Sequence, residues 1–207
     1  MRMFQIWWRC LIDINNNYLQ NQHAGATSID IKLLPFVKDQ LNVGSLLDIG
    51  CGPGGNVEFA RHLGIQAYGV DGDINVLPKK AYFEYVDYSR GYSSFIQKFD
   101  LGWSVEFAEH IAERYIPNFM MDYKKCSRVI FTAAPPGWGG NGHVNEQKKN
   151  YWIKKFEKNG FNFNVDMTKK IRQLSLLIFQ GSIRLPKKQF IQNRGLVFDN
   201  LNISGDK

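Results

Sequence analysis

The stretch LLDIGCGPGG, residues 46–55, constrains the fold more than any other part of this 207-residue chain. Leu46, Leu47 and Ile49 form an apolar run that reads as a buried strand. Gly50, Cys51, Gly52, Pro53, Gly54 and Gly55 read as a tight turn, and residues 56–63 continue as a helix. A strand, a glycine-rich turn and a helix in that order make a nucleotide cradle. Glycine suits such a turn because a side chain would hold the ligand away from the backbone amides. Two templates fit. Gly50, Gly52 and Gly55 satisfy G-x-G-x-x-G, the dinucleotide fingerprint. Asp48, Gly50, Gly52 and Gly54 satisfy D-x-G-x-G-x-G, with the acid at the strand end. The turn alone does not choose between them.

The surrounding chain predicts an α/β fold: a Rossmann-like, doubly wound, mostly parallel sheet closed by a C-terminal antiparallel strand pair. Residues 1–27 read as an N-terminal helix (4–20) and a lid segment holding His23, and 28–207 as a single domain. Ser28 is placed to cap a helix over 29–41, with Pro35 awkward inside it. Further strands are expected at 66–73, 83–87, 98–107 and 127–136, and helices at 109–126 and 145–159. Strands at 161–166 and 195–200 complete the pattern, around a helical or irregular segment at 167–180. An acidic residue, Asp71, follows Gly52 near the spacing of a ribose-binding carboxylate. Asp87 ends the third strand in the same way.

Aromatics make up 14% of the chain, which argues against disorder. No apolar run approaches the ~20 residues of a membrane span, and the N-terminus shows no small-residue cleavage site. Cys10, Cys51 and Cys126 lack metal-ligand spacing, and a reduced cytoplasmic setting is the simplest reading. The net charge of +7 fits either a lysine-rich surface or an anionic partner such as nucleic acid. The basic residues form scattered pairs rather than one stripe, and no aromatic RNA-binding motif accompanies them.

The whole series resembles a class I S-adenosylmethionine-dependent methyltransferase, over about residues 23 to 199. LLDIGCGPGG is similar to that family's first motif, GVDGD to its second-strand acidic motif and YVDYS to its adenine motif. FDLGWSVEFAEHI resembles the fourth-strand motif of a subset carrying E-H-I. FTAAPPGWGGNGHVNEQKKNYW resembles a subset with a glycine-rich loop and H-V-N-E-Q…Y-W, and QNRGLVF its closing strand. The resemblance implies S-adenosylmethionine (SAM) as cofactor. It implies that Gly50, Cys51, Gly52 and Gly54 face the methionine and ribose, with Asp48 positioning the methionine ammonium. Asp71 would take the ribose hydroxyls, beside Gly72, and Asp87 the adenine amine, with Tyr88 supplying an amide or ring contact. Ser104 and Val105 would line the methyl-donor side.

Each of these residues also has a plain reading. Asp48, Asp71 and Asp87 suit helix N-caps, Gly72 a simple turn and Cys51 a small core position. Methyl transfer needs alignment and exclusion of water, and a base only where the acceptor must lose a proton. Candidate bases are Glu106, Glu109, His110, His143 and Glu146. Glu109 and His110 fit equally the start of a helix. In the loop 135–147, Trp138 could stack on a planar or sugar-like substrate or plug the core edge. His143, Asn145 and Glu146 could bind substrate, or Asn145 could cap the next helix. His23 is a further substrate-side candidate. No metal is expected, because His143-x-x-Glu146 is not H-E-x-x-H.

The sequence thus predicts a methyltransferase acting on oxygen of a small molecule or glycan. Alternatives are a nucleic-acid methyltransferase or a cofactor-binding module without turnover. Where amino-methylating enzymes carry N/D-P-P-Y/F, this chain reads SVEF. The acceptor and the oligomeric state stay open at this level.

Overall fold

The computed structural model describes residues 27–179 and 189–203. The helix expected over 4–20 and His23 lie outside the described residues. The main sheet has seven strands: β2 (Ser45–Ile49), β3 (Gln66–Asp71), β4 (Phe83–Tyr85), β5 (Phe99–Val105), β6 (Cys126–Thr132), β7 (Phe161–Phe163) and β9 (Leu196–Asn200). Their spatial order is β4-β3-β2-β5-β6-β9-β7. All are parallel except β9, which inserts antiparallel between β6 and β7. The expected α/β architecture and its antiparallel ending are both present. From β2 the chain winds outward to β4, then crosses back to β5. The crevice at the carboxyl ends of β2 and β5 is therefore the topological switch point, where open α/β sheets bind ligands.

Both faces of the sheet are covered, so the strands are apolar on both sides. Leu46, Leu101, Trp103, Ile130 and Val197 pack on one face, against α1 (Leu33–Gln40), α2 (Gly55–His62), α5 (Val165–Leu174) and α6 (Phe190–Arg194). Leu47, Val129, Phe131 and Phe198 pack on the other, against α3 (Ile116–Tyr123) and α4 (Lys149–Lys158). Phe131 lies within 6.3 Å, ring centre to ring centre, of Tyr123, Trp152, Phe156 and Phe198. Burying one such ring stabilises the fold by about 1.5–3 kcal/mol. Among the described residues, no helix is long and apolar enough to cross a membrane.

Three local expectations are corrected. Ser28 does not cap a helix; it starts β1 (Ser28–Asp30), which pairs antiparallel with β8 (Leu177–Phe179). Asp30, at the end of β1, accepts from the Lys32 and Leu33 N–H on Oδ1 just ahead of α1, whose own N-cap, Lys32, has no side-chain cap. Pro35, third in α1, sits in the first turn, where its missing N–H has no intrahelical acceptor. The helix expected over 109–126 is broken into two 3-10 turns, Ala108–His110 and Glu113–Tyr115, before α3. The one expected over 145–159 begins only at Lys149, and Asn145 caps nothing.

Candidate functional site

A cavity of about 720 Å³ opens at the switch point. One side is built from residues at or just past the strand ends: Gly50 and Gly52 after β2, Asp71 to Asp73 at β3, Val86 to Tyr88 after β4, Glu106 and Phe107 after β5. His110 to Ala112, Tyr115 and Val144 close the other side. None of the described residues lining it is Lys or Arg, while Asp71, Asp73, Asp87 and Glu106 are acidic.

The backbone amides of the glycine turn have partners within the fold. Gly50 and Cys51 N–H both donate to the Val70 carbonyl, at 2.9 and 3.0 Å. Gly52 N–H donates to Asp71 Oδ2 at 2.8 Å, and Gly54 N–H to the Cys51 carbonyl at 2.9 Å. Gly52 sits at φ 52° and a Cβ there would meet nothing within 4 Å. It is the open floor of the cradle. Gly54 does not line the cavity; it begins α2 at φ 79°, and a Cβ would come within 2.4 Å of the Phe83 ring. Cys51 is buried, and burial pushes its thiol well up, so its backbone is what it contributes. Asp48 lies behind the turn, 3% exposed, and does not reach the cavity wall. Burial, and then the charge of Asp71, raise its carboxyl well above the usual range.

Asp71 is oriented on both oxygens: Oδ2 by Gly52 and Oδ1 by the Asp73 N–H at 2.9 Å. A carboxylate has about four acceptor sites, so two remain for a ligand. Gly72 lines the cavity beside it. Asp87 Oδ1 accepts from Ser89 N–H at 2.9 Å, and Ser89 holds its carboxyl below the usual range. The Tyr88 ring is buried against Phe107 and Phe119, and its hydroxyl donates to Asp122. Tyr88 therefore presents backbone, not ring, to the cavity.

Ser104 and Val105 are not in the cavity wall. Ser104 Oγ is fully buried, donating to the Ile49 carbonyl and accepting from Tyr123 Oη. It clamps β2 to β5. Glu106 follows at φ 56°, unusual for a residue with a side chain. The conformation is held from three directions. Its N–H donates to Thr132 Oγ1, its Oε1 accepts from that hydroxyl, and Arg194 forms a bidentate ion pair with its carboxylate.

Glu146 organises the loop 135–147. Glu146 accepts from Gly137 and Gly139 N–H, each at 2.8 Å, and pairs with His143 Nδ1 at 2.7 Å. That hydrogen bond to His143 lowers the Glu146 carboxyl. Trp138 lies under the Arg194 guanidinium, 4.1 Å from its ring centre, and stays exposed on its other side. Asn145 is buried, its N–H donating to the Glu109 carbonyl. Arg194 was not selected from the sequence; it lies 88 residues from Glu106.

Glu109, His110 and His143 come together, with one ligand atom from each within 4.8 Å of the others. Their rings meet edge to face, His110 to His143, at 4.8 Å. Glu109 is fully buried, and burial raises its carboxyl to about 7. Its Oε1 accepts from the Ala134 N–H, while Oε2 has no partner. Burial, and then His143, hold His110 below its ordinary pKa, so it is a neutral imidazole at pH 7.

No protein-family model matches the sequence, and no curated protein matches it. Solved structures do. A TehB-like SAM-dependent methyltransferase from Corynebacterium glutamicum is 15% identical, with a TM-score of 0.53, over 96% of this chain and 97% of that one. Magnesium protoporphyrin IX methyltransferase from Synechocystis PCC 6803, with bound SAH, is 14% identical (TM-score 0.53; 81% and 80% covered). The methyltransferase domain of bacterial CtHen1-C is 17% identical (TM-score 0.52; 81% and 94% covered). The chain shares the Rossmann-like fold of these SAM-dependent methyltransferases.

Proposed function

We propose that this protein is a SAM-dependent methyltransferase that methylates a hydroxyl of a small molecule or glycan. The observation that carries the reading is the charge of the cavity. Its described lining holds four carboxylates and no basic side chain at the switch point of the sheet; Arg194 pairs with Glu106 and Arg90 with Asp87 from outside the lining, so Asp71 and Asp73 carry most of the exposed charge. A dinucleotide or a nucleic-acid backbone would bring phosphates there, and both a described lining without Lys or Arg and the internally bonded turn amides oppose them. SAM brings a sulfonium and an ammonium, which the carboxylates favour.

Asp71 would accept from the ribose hydroxyls and Asp87 from the adenine amine. Gly52 leaves room for the cofactor. When bound, SAM supplies an electrophilic methyl group on a cationic sulfur. The acceptor end is His110, with Glu109 and His143 behind it, and the hydroxyl proton is lost towards this cluster. Phe107, Ile111 and Tyr115 give that end apolar walls, which exclude water from the aligned atoms.

Titration calorimetry with SAM and with NAD tests the reading: binding of SAM alone is expected, and binding of NAD alone overturns it. Incubation with SAM and pools of glycans, small hydroxylated metabolites or RNA, read by mass spectrometry, then tests the acceptor. Methylation of RNA only, with salt-sensitive retention, would replace the small-molecule reading by the nucleic-acid one.

A further inference from the structure

We propose that Glu109, His110 and His143 form a binding site for a divalent transition-metal cation at the acceptor end of the cavity. One carboxylate and two imidazoles make the donor set. That set suits zinc, manganese, iron or cobalt and leaves coordination positions open for water or an acceptor oxygen. Magnesium and calcium prefer all-oxygen sites and fit it poorly.

Three independent observations support the site. The three donor atoms lie within 4.8 Å of one another, although the chain separates His143 from the other two by α3, β6 and a loop. Glu109 Oε2 is buried without a hydrogen-bond partner, while Oε1 is anchored by Ala134 N–H. An unpaired buried carboxylate oxygen is costly, and a cation is the natural partner for it. The His143 ring is held as metal-bound histidines are, by a carboxylate: Nδ1 faces Glu146 at 2.7 Å. His110 hydrogen-bonds the Gly142 backbone, an equivalent constraint on the second ring.

Metal–ligand bonds of about 2.1 Å put two donors at most about 4.2 Å apart. The cluster therefore contracts by roughly half an ångström or more on binding. His110 is the exposed member of the three. His110 also lines the cofactor cavity, so the cation sits beside the acceptor position rather than elsewhere on the surface. A role for the cation in holding the acceptor oxygen rests on the methyl-transfer reading; the metal site itself does not.

Metal-free protein titrated with cobalt(II), without SAM, tests the site. The expected result is one saturable equivalent and visible absorption bands of a low-symmetry cobalt centre. Affinity should fall at least ten-fold in His143→Ala and in His110→Ala, and by a smaller factor in Glu146→Gln. Absence of saturable binding overturns the proposal, as does binding that is unchanged in both histidine variants. Circular dichroism spectra that match the parent confirm that the variants fold. Because the titration contains no cofactor, its failure leaves the SAM result standing, and failure of SAM binding leaves the metal result standing.

Discussion

Asp71 Oδ2 accepts the Gly52 N–H at 2.8 Å, tying the end of β3 to the glycine turn 19 residues away. The carboxylate is thereby fixed in place before any ligand arrives, with the Asp73 N–H holding its other oxygen. Asp71→Ala removes the acceptors and leaves the Gly52 amide unpaired. Hydrogen bonds to a charged group contribute about 1.5–3 kcal/mol. SAM affinity by calorimetry should therefore fall roughly ten- to a hundred-fold, with Asp71→Asn in between. Unchanged affinity in Asp71→Ala would remove the cofactor assignment.

Gly52 and Gly54 separate the binding role of the turn from its folding role. Gly52→Ala meets no atom within 4 Å, so its cost to folding is the left-handed backbone, about 1–2 kcal/mol. Its methyl group points into the cradle, and SAM binding should be lost or weakened at least ten-fold. Gly54→Ala carries the same backbone cost and also drives a Cβ to 2.4 Å from Phe83. It should destabilise by a further 1–3 kcal/mol in urea unfolding, while the folded protein still binds SAM. Equal effects of the two substitutions on binding would contradict the division.

The fold was legible because its signals are local. Apolar runs at Leu46–Ile49 and Val129–Phe131, each followed by turn residues, mark strands that are buried on both faces. The cradle carboxylates Asp71 and Asp87 were legible because they sit at strand ends, where the doubly wound topology gathers them. What escaped was long-range. Nothing near Glu106 signals Arg194, and nothing near Ser28 signals pairing with Phe179. Ser104 sits at a strand end like the aspartates, but its small hydroxyl turns inward to Ile49 and Tyr123. The histidine and glutamate cluster follows no contiguous motif, because β6 and the loop after it bring His143 back to Glu109 and His110.

The Arg194–Glu106 pair tests how the cavity rim is held. Both side chains are largely buried, at 15% and 17% exposure. Removing one partner leaves an unpaired charge, whereas replacing both restores neutrality. Arg194→Met should lower stability by about 1–3 kcal/mol in urea unfolding, and the double variant Arg194→Met with Glu106→Gln by less. Trp138 loses the guanidinium over its ring in both, so its fluorescence should shift in both. A double variant less stable than the single would show that the ion pair is net stabilising here.

Asp48 places function against stability. Its carboxyl is raised in the folded protein, by burial first and by Asp71 second. The unfolded chain then releases this proton near the ordinary value of 3.8, while the folded protein retains it to higher pH. Stability contributed by this position is therefore greatest in acid. It falls as pH rises above that value, by about 1.4 kcal/mol per pH unit until the folded group also ionises. Asp48→Asn has no such proton to lose. It should match the parent in urea unfolding near pH 3.5 and exceed it at pH 7. Wherever the folded carboxyl has ionised, the same substitution also removes charge from behind the glycine turn, and SAM affinity should fall there as stability gains. A variant that gains no stability between the two pH values would show that burial does not strain this carboxylate. A variant that gains stability and binds SAM as tightly as the parent would place the charge that recognises the cofactor wholly on Asp71 and Asp87.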